Sequence, residues 1–271
     1  IVADPALHHF EALRDYDSCL AWLAREQPLC AQALAASGDA PMDFRYLRGF
    51  SHDCKRLWSS EGWGLTGEAG VFADPFYSPG ADFIALSNTF LTEIVGRSLR
   101  GHNVRAPALI YEQLYKSFYW TSMSIYQGQY QGFGDSRLMA LKSTWDYAYY
   151  WGVLALLYVS GGMTDLDTMR RLEPTLVGLQ KMHRDMQSEF RAVAARGVQS
   201  PGRGRFFDQR AIPILLQLNG ELEDGSEPVT ARIRHNAERL ERLDAIVRRQ
   251  LKTPSATQDC ELLGDLGARL S

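Results

Sequence analysis

Residues 63–82 gather the side chains best suited to chemistry: Glu68 between Gly67 and Gly70, then Asp74-Pro75-Phe76-Tyr77-Ser78-Pro79-Gly80, then Ala81 and Asp82. A carboxylate in a glycine turn accepts hydrogen bonds from a ligand's hydroxyl groups, and the flanking glycines keep other side chains clear of a close approach. After the Pro/Gly loop, Phe83, Leu86, Phe90 and Ile94 fall on one helical stripe. A helix that opens straight from such a loop offers unpaired N–H groups and the positive end of its dipole, a seat for an anionic or electron-rich ligand. By spacing alone, a plain glycine turn with a surface Glu explains residues 67–70 equally well.

The elements that must position these residues follow from pattern and punctuation. Trp63 to Gly67 is expected as a buried strand running into the turn, and residues 42–58 as two short strands before it. Further upstream, Asp17 is the expected N-cap of a helix or a helix pair interrupted at Pro28, and Gly38–Pro41 is a turn. Downstream the spacing predicts helices over 81–99, 105–127, 136–159, 165–195, 205–219 and 228–251. Their breaks fall at Gly101, Gly132–Asp135, Gly161-Gly162, Ser200-Pro201-Gly202 and Asp224-Gly225. The expected class is α+β and predominantly helical. Residues 1–100 would form the module carrying the turn and its helix, 101–254 a helical domain, and 255–271 a flexible tail.

Composition narrows the function classes. A net charge of −3 and a pI of about 6.1 give no electrostatic case for nucleic acid or an anionic membrane. The longest apolar run, Trp151–Val159, is about half the length of a membrane span. Cys19, Cys30, Cys54 and Cys260 lie far apart without a CxxC pair, which predicts reduced thiols and a cytoplasmic location. The histidines are isolated, so no metal site is expected. The chain opens on Ile1 with no signal-peptide pattern, and is expected to be the C-terminal portion of a longer polypeptide or a processed chain.

Thirteen of the thirty aromatic residues lie between Tyr111 and Trp151. Two expectations attach to this band: an aromatic helix–helix core, or the wall of a pocket for a flat or conjugated substrate. The two are compatible if they occupy opposite helix faces. The Arg203-Gly204-Arg205 loop is expected to be solvated, with contact to a carrier protein as the sharper alternative, and the mixed-charge segment from Arg232 to Arg249 reads as an exposed helix or an oligomer face.

The order Gly67-Glu68-Ala69-Gly70, Asp74-Pro75, Tyr77-Ser78-Pro79-Gly80, helix resembles the second flavin-binding motif of FAD-dependent monooxygenases, and within them the flavin-dependent halogenases. Gly128-Gln129-Tyr130, Phe133-Gly134-Asp135 and Trp145-Asp146-Tyr147-Ala148 look like the helical region of halogenase-like flavoproteins, so the resemblance covers about residues 42–160. It implies the C-terminal part of a glutathione-reductase-type FAD fold. FAD would be the cofactor, Gly67, Glu68, Pro75, Ser78, Pro79, Gly80, Ala81 and Asp82 would form its binding residues, and no catalytic residue is assigned. Glu68 would contact flavin hydroxyls, and the helix from Gly80 would face the flavin ring edge.

The implied activity is an FAD-dependent oxidoreductase acting on an aromatic or conjugated substrate, free or carrier-bound. Its reductant would be a partner flavin reductase or NAD(P)H. Tyr77 stands where tryptophan halogenases carry a catalytic Glu. Pro79 has no N–H, which removes one of two halide-holding amides, a loss of about 1.5–3 kcal/mol. No Gly-x-Gly-x-x-Gly segment for the ADP half of FAD occurs in the chain. These departures support an alternative, a non-catalytic helical binding or interaction protein on a flavoprotein scaffold.

Overall fold

A computed structural model describes residues 1–6, 8–197 and 208–252. The chain divides into two compact units, Ile1–His52 and Asp53–Ser271, whereas the sequence placed the division at residues 100 and 101.

In the first unit, α1 (Tyr16–Glu26) starts at Asp15, whose Oδ1 accepts from the Ser18 N–H at 2.9 Å. The cap is therefore Asp15 and not Asp17, which lies in the first turn where a negative charge also favours the dipole. Pro28 ends the first helix and opens α2 (Pro28–Ser37), which stops at Gly38 with φ +68°. Leu13, Cys19, Trp22 and Leu23 form a small core beside Phe44 and Tyr46. Residues 42–57 contain no strand, contrary to the alternation in sequence.

In the second unit, β1 (Trp58–Ser59) pairs antiparallel with β2 (Trp63–Gly64), and Trp58 stands opposite Gly64. This pair is all the strand structure among the described residues. The expected buried strand over 63–67 is thus short and peripheral, with Trp63 44% exposed. The residues at and before β1 are tied to a helix as well. Trp58 Nε1 donates to the Ala108 carbonyl at 2.8 Å, and the Leu57 N–H donates to the Glu112 carboxylate at 2.6 Å.

The rest is helical: α3 (Gly80–Leu99), α4 (Arg105–Tyr126), α5 (Ser136–Tyr149), α6 (Leu156–Val159), α7 (Leu166–Ala194), α8 (Pro213–Gly220) and α9 (Val229–Lys252). The expected helix over 205–219 begins only at Pro213, after a short turn at Gln209–Ala211. Asp135 caps α5 by accepting from the Arg137 and Leu138 N–H groups, and Asp165 caps α7 in the same way. Residues 150–155 between α5 and α6 are π-helical, a conformation that recurs at functional sites. The Gly152 carbonyl in this stretch accepts from Asn236 Nδ2 at 2.9 Å.

α3 and α4 pack as one body through aromatic pairs, Phe83 with Phe118 (5.1 Å) and Phe90 stacked on Tyr111 (4.9 Å). The sequence boundary at 100/101 falls on the turn joining them, which explains why the compact unit does not divide there. The Arg203–Arg205 loop and the tail from residue 255 lie outside the described residues. Among the described residues no helix is long and apolar enough to cross a membrane.

Candidate functional site

The loop from Asp74 to Pro79 is held from several sides. Asp74 Oδ1 accepts from the Phe76 N–H at 2.9 Å, and its Oδ2 accepts from the Tyr130 hydroxyl. The Tyr126 hydroxyl donates to the Phe76 carbonyl at 2.6 Å. Phe133 stacks between Phe76 and Tyr130, 4.7 Å from each. These anchors hold Tyr77 and Ser78 at φ +63° and +53°, a left-handed pair that side chains other than glycine rarely adopt. Such strain persists where surrounding structure over-determines it, and it clusters at functional sites. Its effect here is to turn the chain sharply so that α3 starts at Gly80 with Pro79 as its cap.

Glu68 reaches this helix start from the preceding turn. A Cβ on Gly80 would meet Glu68 Oε1 at 2.7 Å, so glycine is what lets the carboxylate come this close. The negative charge there is favoured by the helix dipole. Gly67, with φ +51°, donates its N–H to Ser87 Oγ at 2.7 Å, which fixes the turn to α3. Glu68, Pro75, Ser78, Pro79, Gly80 and Ala81 together border a shallow hollow of about 340 Å³. Of the eight residues singled out in the sequence, six thus meet at one surface. Gly67 supports it from behind. Asp82 turns inward, where its Oδ1 accepts from the Tyr150 hydroxyl at 2.8 Å.

Directly inside lies a second cavity, of about 230 Å³, with Ser78 and Pro79 again in its wall. Aromatic side chains from α4 and α5, among them Phe118, Tyr126, Tyr147 and Tyr149, form most of its lining, and the π-helical stretch adds Tyr150 and Leu154. The aromatic band therefore does both jobs expected of it. Tyr111, Tyr115 and Trp145 are buried core, while a different set faces the cavity. Burial raises the phenols of Tyr77 and Tyr126 above their ordinary value, with the Asp146 charge acting on Tyr77 and the Asp74 charge on Tyr126 in the same direction. Both remain protonated donors.

Asp146 is the one group of this wall tied into a charged network. Its Oδ1 accepts from Gln187 Nε2 at 2.6 Å, and Lys142 Nζ lies 3.0 Å from its Oδ2. Lys142 also donates to Gln187 Oε1 at 2.9 Å, and Gln129 Nε2 donates to the same oxygen at 2.9 Å. Side chains of Lys142 and Asp146 are 1% and 3% exposed. Asp146 Oδ2 is itself buried, and the Tyr77 hydroxyl interacts with this carboxylate from the cavity side. Burial raises the Asp146 carboxyl and lowers the Lys142 ammonium, and their mutual attraction opposes both shifts.

Comparison with protein-family models, curated proteins and solved structures finds no match. The site has to be understood from its own geometry.

Asp146 falls in the Trp145–Ala148 stretch that carries the resemblance but has no role assigned by it, and Lys142 and Gln187 belong to no motif. The available signal is weak: two opposite charges one helical turn apart, set among Leu138, Leu141, Trp145 and Tyr149 on a stripe that should be apolar. Among the described residues, no group of three or more His, Cys, Asp or Glu side chains could hold a metal ion. His183 is buried and neutral: its Nδ1 accepts from Trp145 Nε1 at 3.3 Å, and its Nε2 has no hydrogen-bond partner.

Proposed function

We propose that this chain is the substrate-facing part of an FAD-dependent oxidoreductase that transfers oxygen to a hydroxylated aromatic substrate. One observation carries the reading. Ser78 and Pro79 are a shared wall between the hollow at the start of α3 and the aromatic cavity, so a ring in the hollow and a flat substrate in the cavity would meet across two residues.

The residues suit the ring-and-ribityl end of a flavin. Glu68 supplies a carboxylate acceptor for hydroxyl groups, Gly80 leaves room beside it, and the α3 N-terminus faces the hollow with its positive dipole end. The described residues include no strand–turn–helix unit for the ADP half, which another segment would have to provide. When bound, the flavin supplies reduction of oxygen and delivery of an oxygen atom. Side chains of this chain do the rest. Phe118, Tyr126 and Tyr149 exclude water and hold the substrate flat. Asp146, with the Tyr77 hydroxyl beside it, accepts the substrate's hydroxyl proton, which enriches the ring for attack, and burial raises its carboxyl toward the range in which a base works well.

Oxygen transfer is preferred to halogenation because the loop has few amides for a halide. Pro79 has no N–H, and the Ser78 N–H already donates to the Pro75 carbonyl at 2.9 Å. Electrons would come from a flavin reductase or NAD(P)H. The test is the visible absorbance of the purified protein, identification of any flavin released on denaturation, and titration with FAD and riboflavin. Saturable flavin binding, weakened by Glu68→Gln, is the expected result. A colourless chain that takes up neither flavin would overturn the reading.

A further inference from the structure

A larger hollow, of about 640 Å³, lies between α3, α4 and α7. Leu86, Ile110, Leu114, Met169 and Leu176 give it mostly apolar walls. It adjoins the aromatic cavity, because Phe118, Thr121, Tyr149 and Leu154 line both spaces. Three of these four are buried, and Leu154 is half-buried. Polar groups sit at the two ends. Asp146 and Asp82 face the inner end, and Asp167, Arg170 and Glu173 the outer one. Between them the walls are mostly apolar, and Gln180 Nε2 is spent on Ser117 Oγ at 2.7 Å and Thr121 Oγ1 at 3.2 Å.

We propose that the two spaces bind one elongated amphiphile: a flat head with a neutral hydrogen-bond donor against Asp146, and an apolar tail that passes Leu154 into the channel between α4 and α7. The proposal rests on taking the aromatic cavity as a substrate site, and fixes the shape and head chemistry of what enters it. The head is a donor because both carboxylates of the inner end are acceptors, and the nearby cation, Lys142, is already engaged by Asp146 and Gln187. A carboxylate head would meet two acidic groups. Size separates head from tail. A dry cavity of about 150 Å³ holds benzene, so 230 Å³ takes one substituted ring and leaves a long chain no room except the channel.

The experiment is a calorimetric titration of the flavin-free chain with para-ethyl-, para-butyl-, para-hexyl- and para-octylphenol, with para-octylanisole and octanoate for comparison. Affinity should rise roughly two- to fourfold per added methylene through the octyl member. Para-octylanisole, which has lost the donor, should bind about tenfold more weakly, and octanoate should not bind measurably. Leu114→Trp, which alters only the channel wall, should weaken para-octylphenol about tenfold more than it weakens para-ethylphenol. Affinity that stays flat beyond the ethyl member in the unaltered chain, or anisole binding equal to phenol binding, would overturn the proposal without any variant. The outcomes are separable from those of the flavin test: a chain that binds the phenol series but no flavin loses the oxidoreductase reading alone, and one that binds flavin with a flat series loses this inference alone.

Discussion

Lys142 Nζ stands 3.0 Å from Asp146 Oδ2, one turn apart on α5, with both side chains almost wholly withdrawn from water. A buried pair of this kind adds little net stability, yet removing one partner is expensive because the other charge is left stranded. Lys142→Met should therefore cost about 3–5 kcal/mol in urea unfolding, while Lys142→Met combined with Asp146→Leu should recover much of that loss. Equal destabilisation by the single and double variants would show that the pair is not coupled.

Asp146 also carries the proton-accepting role in the proposed reaction. Asp146→Asn should lower kcat about 10²- to 10⁴-fold. In the unaltered protein, the acid limb of the pH–rate profile should lie above the usual carboxylate range, since burial raises this group. The limb should vanish in Asp146→Asn. A limb that persists would assign the proton to another group.

His183 makes stability depend on pH in a definite direction. Burial, reinforced by the Lys142 charge, lowers its pKa from the ordinary imidazole value of 6.5 to about 3. The unfolded chain thus binds a proton that the folded one refuses, and stability falls as pH drops from about 6.5 toward 3. The slope from this group approaches about 1.4 kcal/mol per pH unit. His183→Phe should flatten that part of the stability curve, measured by denaturant midpoints across the range.

Two glycines near the loop should respond differently to the same added methyl group. At Gly67 the backbone is left-handed and a Cβ would lie 2.5 Å from Ile84 Cγ1, so Gly67→Ala should destabilise the fold by about 1–3 kcal/mol. At Gly80 the obstacle is the end of the Glu68 side chain, which can swing aside. Gly80→Ala should leave stability within about 1 kcal/mol, and displace Glu68 enough to weaken flavin uptake. Calorimetric melting followed by flavin titration of both variants separates the two effects.

What could be read in the sequence was whatever local chemistry decides. Although the cap expected at Asp17 lies at Asp15, the Gly101, Gly132–Asp135 and Gly161-Gly162 breaks fall within a residue or two of helix ends because left-handed turns are set by neighbouring residues. The same holds for the loop before Gly80, whose residues meet around one hollow because they are consecutive. Local pattern failed where a distant helix competed for the same side chains. Of the two strands expected over 42–58 only Trp58 and Ser59 pair, and even there the Trp58 indole and the Leu57 N–H bond to α4, 50 and 55 positions away. The charged network was invisible for the same reason: Gln187 lies 45 and 41 positions from Lys142 and Asp146, and nothing in the sequence near either one announces it.

The π-helical stretch from Tyr150 to Ala155 has a consequence for how this protein could change over time. Such a segment accommodates one residue more than an α-helical path between the same end points would need. Deleting a single residue there would relax the backbone into ordinary α-helix and preserve a continuous rod. Side chains beyond the segment would keep their facing, and only those within it, Tyr150 to Ala155, would be reset. Leu154 and Tyr150 would no longer share a wall, and the space behind them would be redrawn without touching a single residue of the loop at Gly80. Ligand choice in this scaffold is thus open to adjustment by the length of one helix, independently of the chemistry at its neighbour.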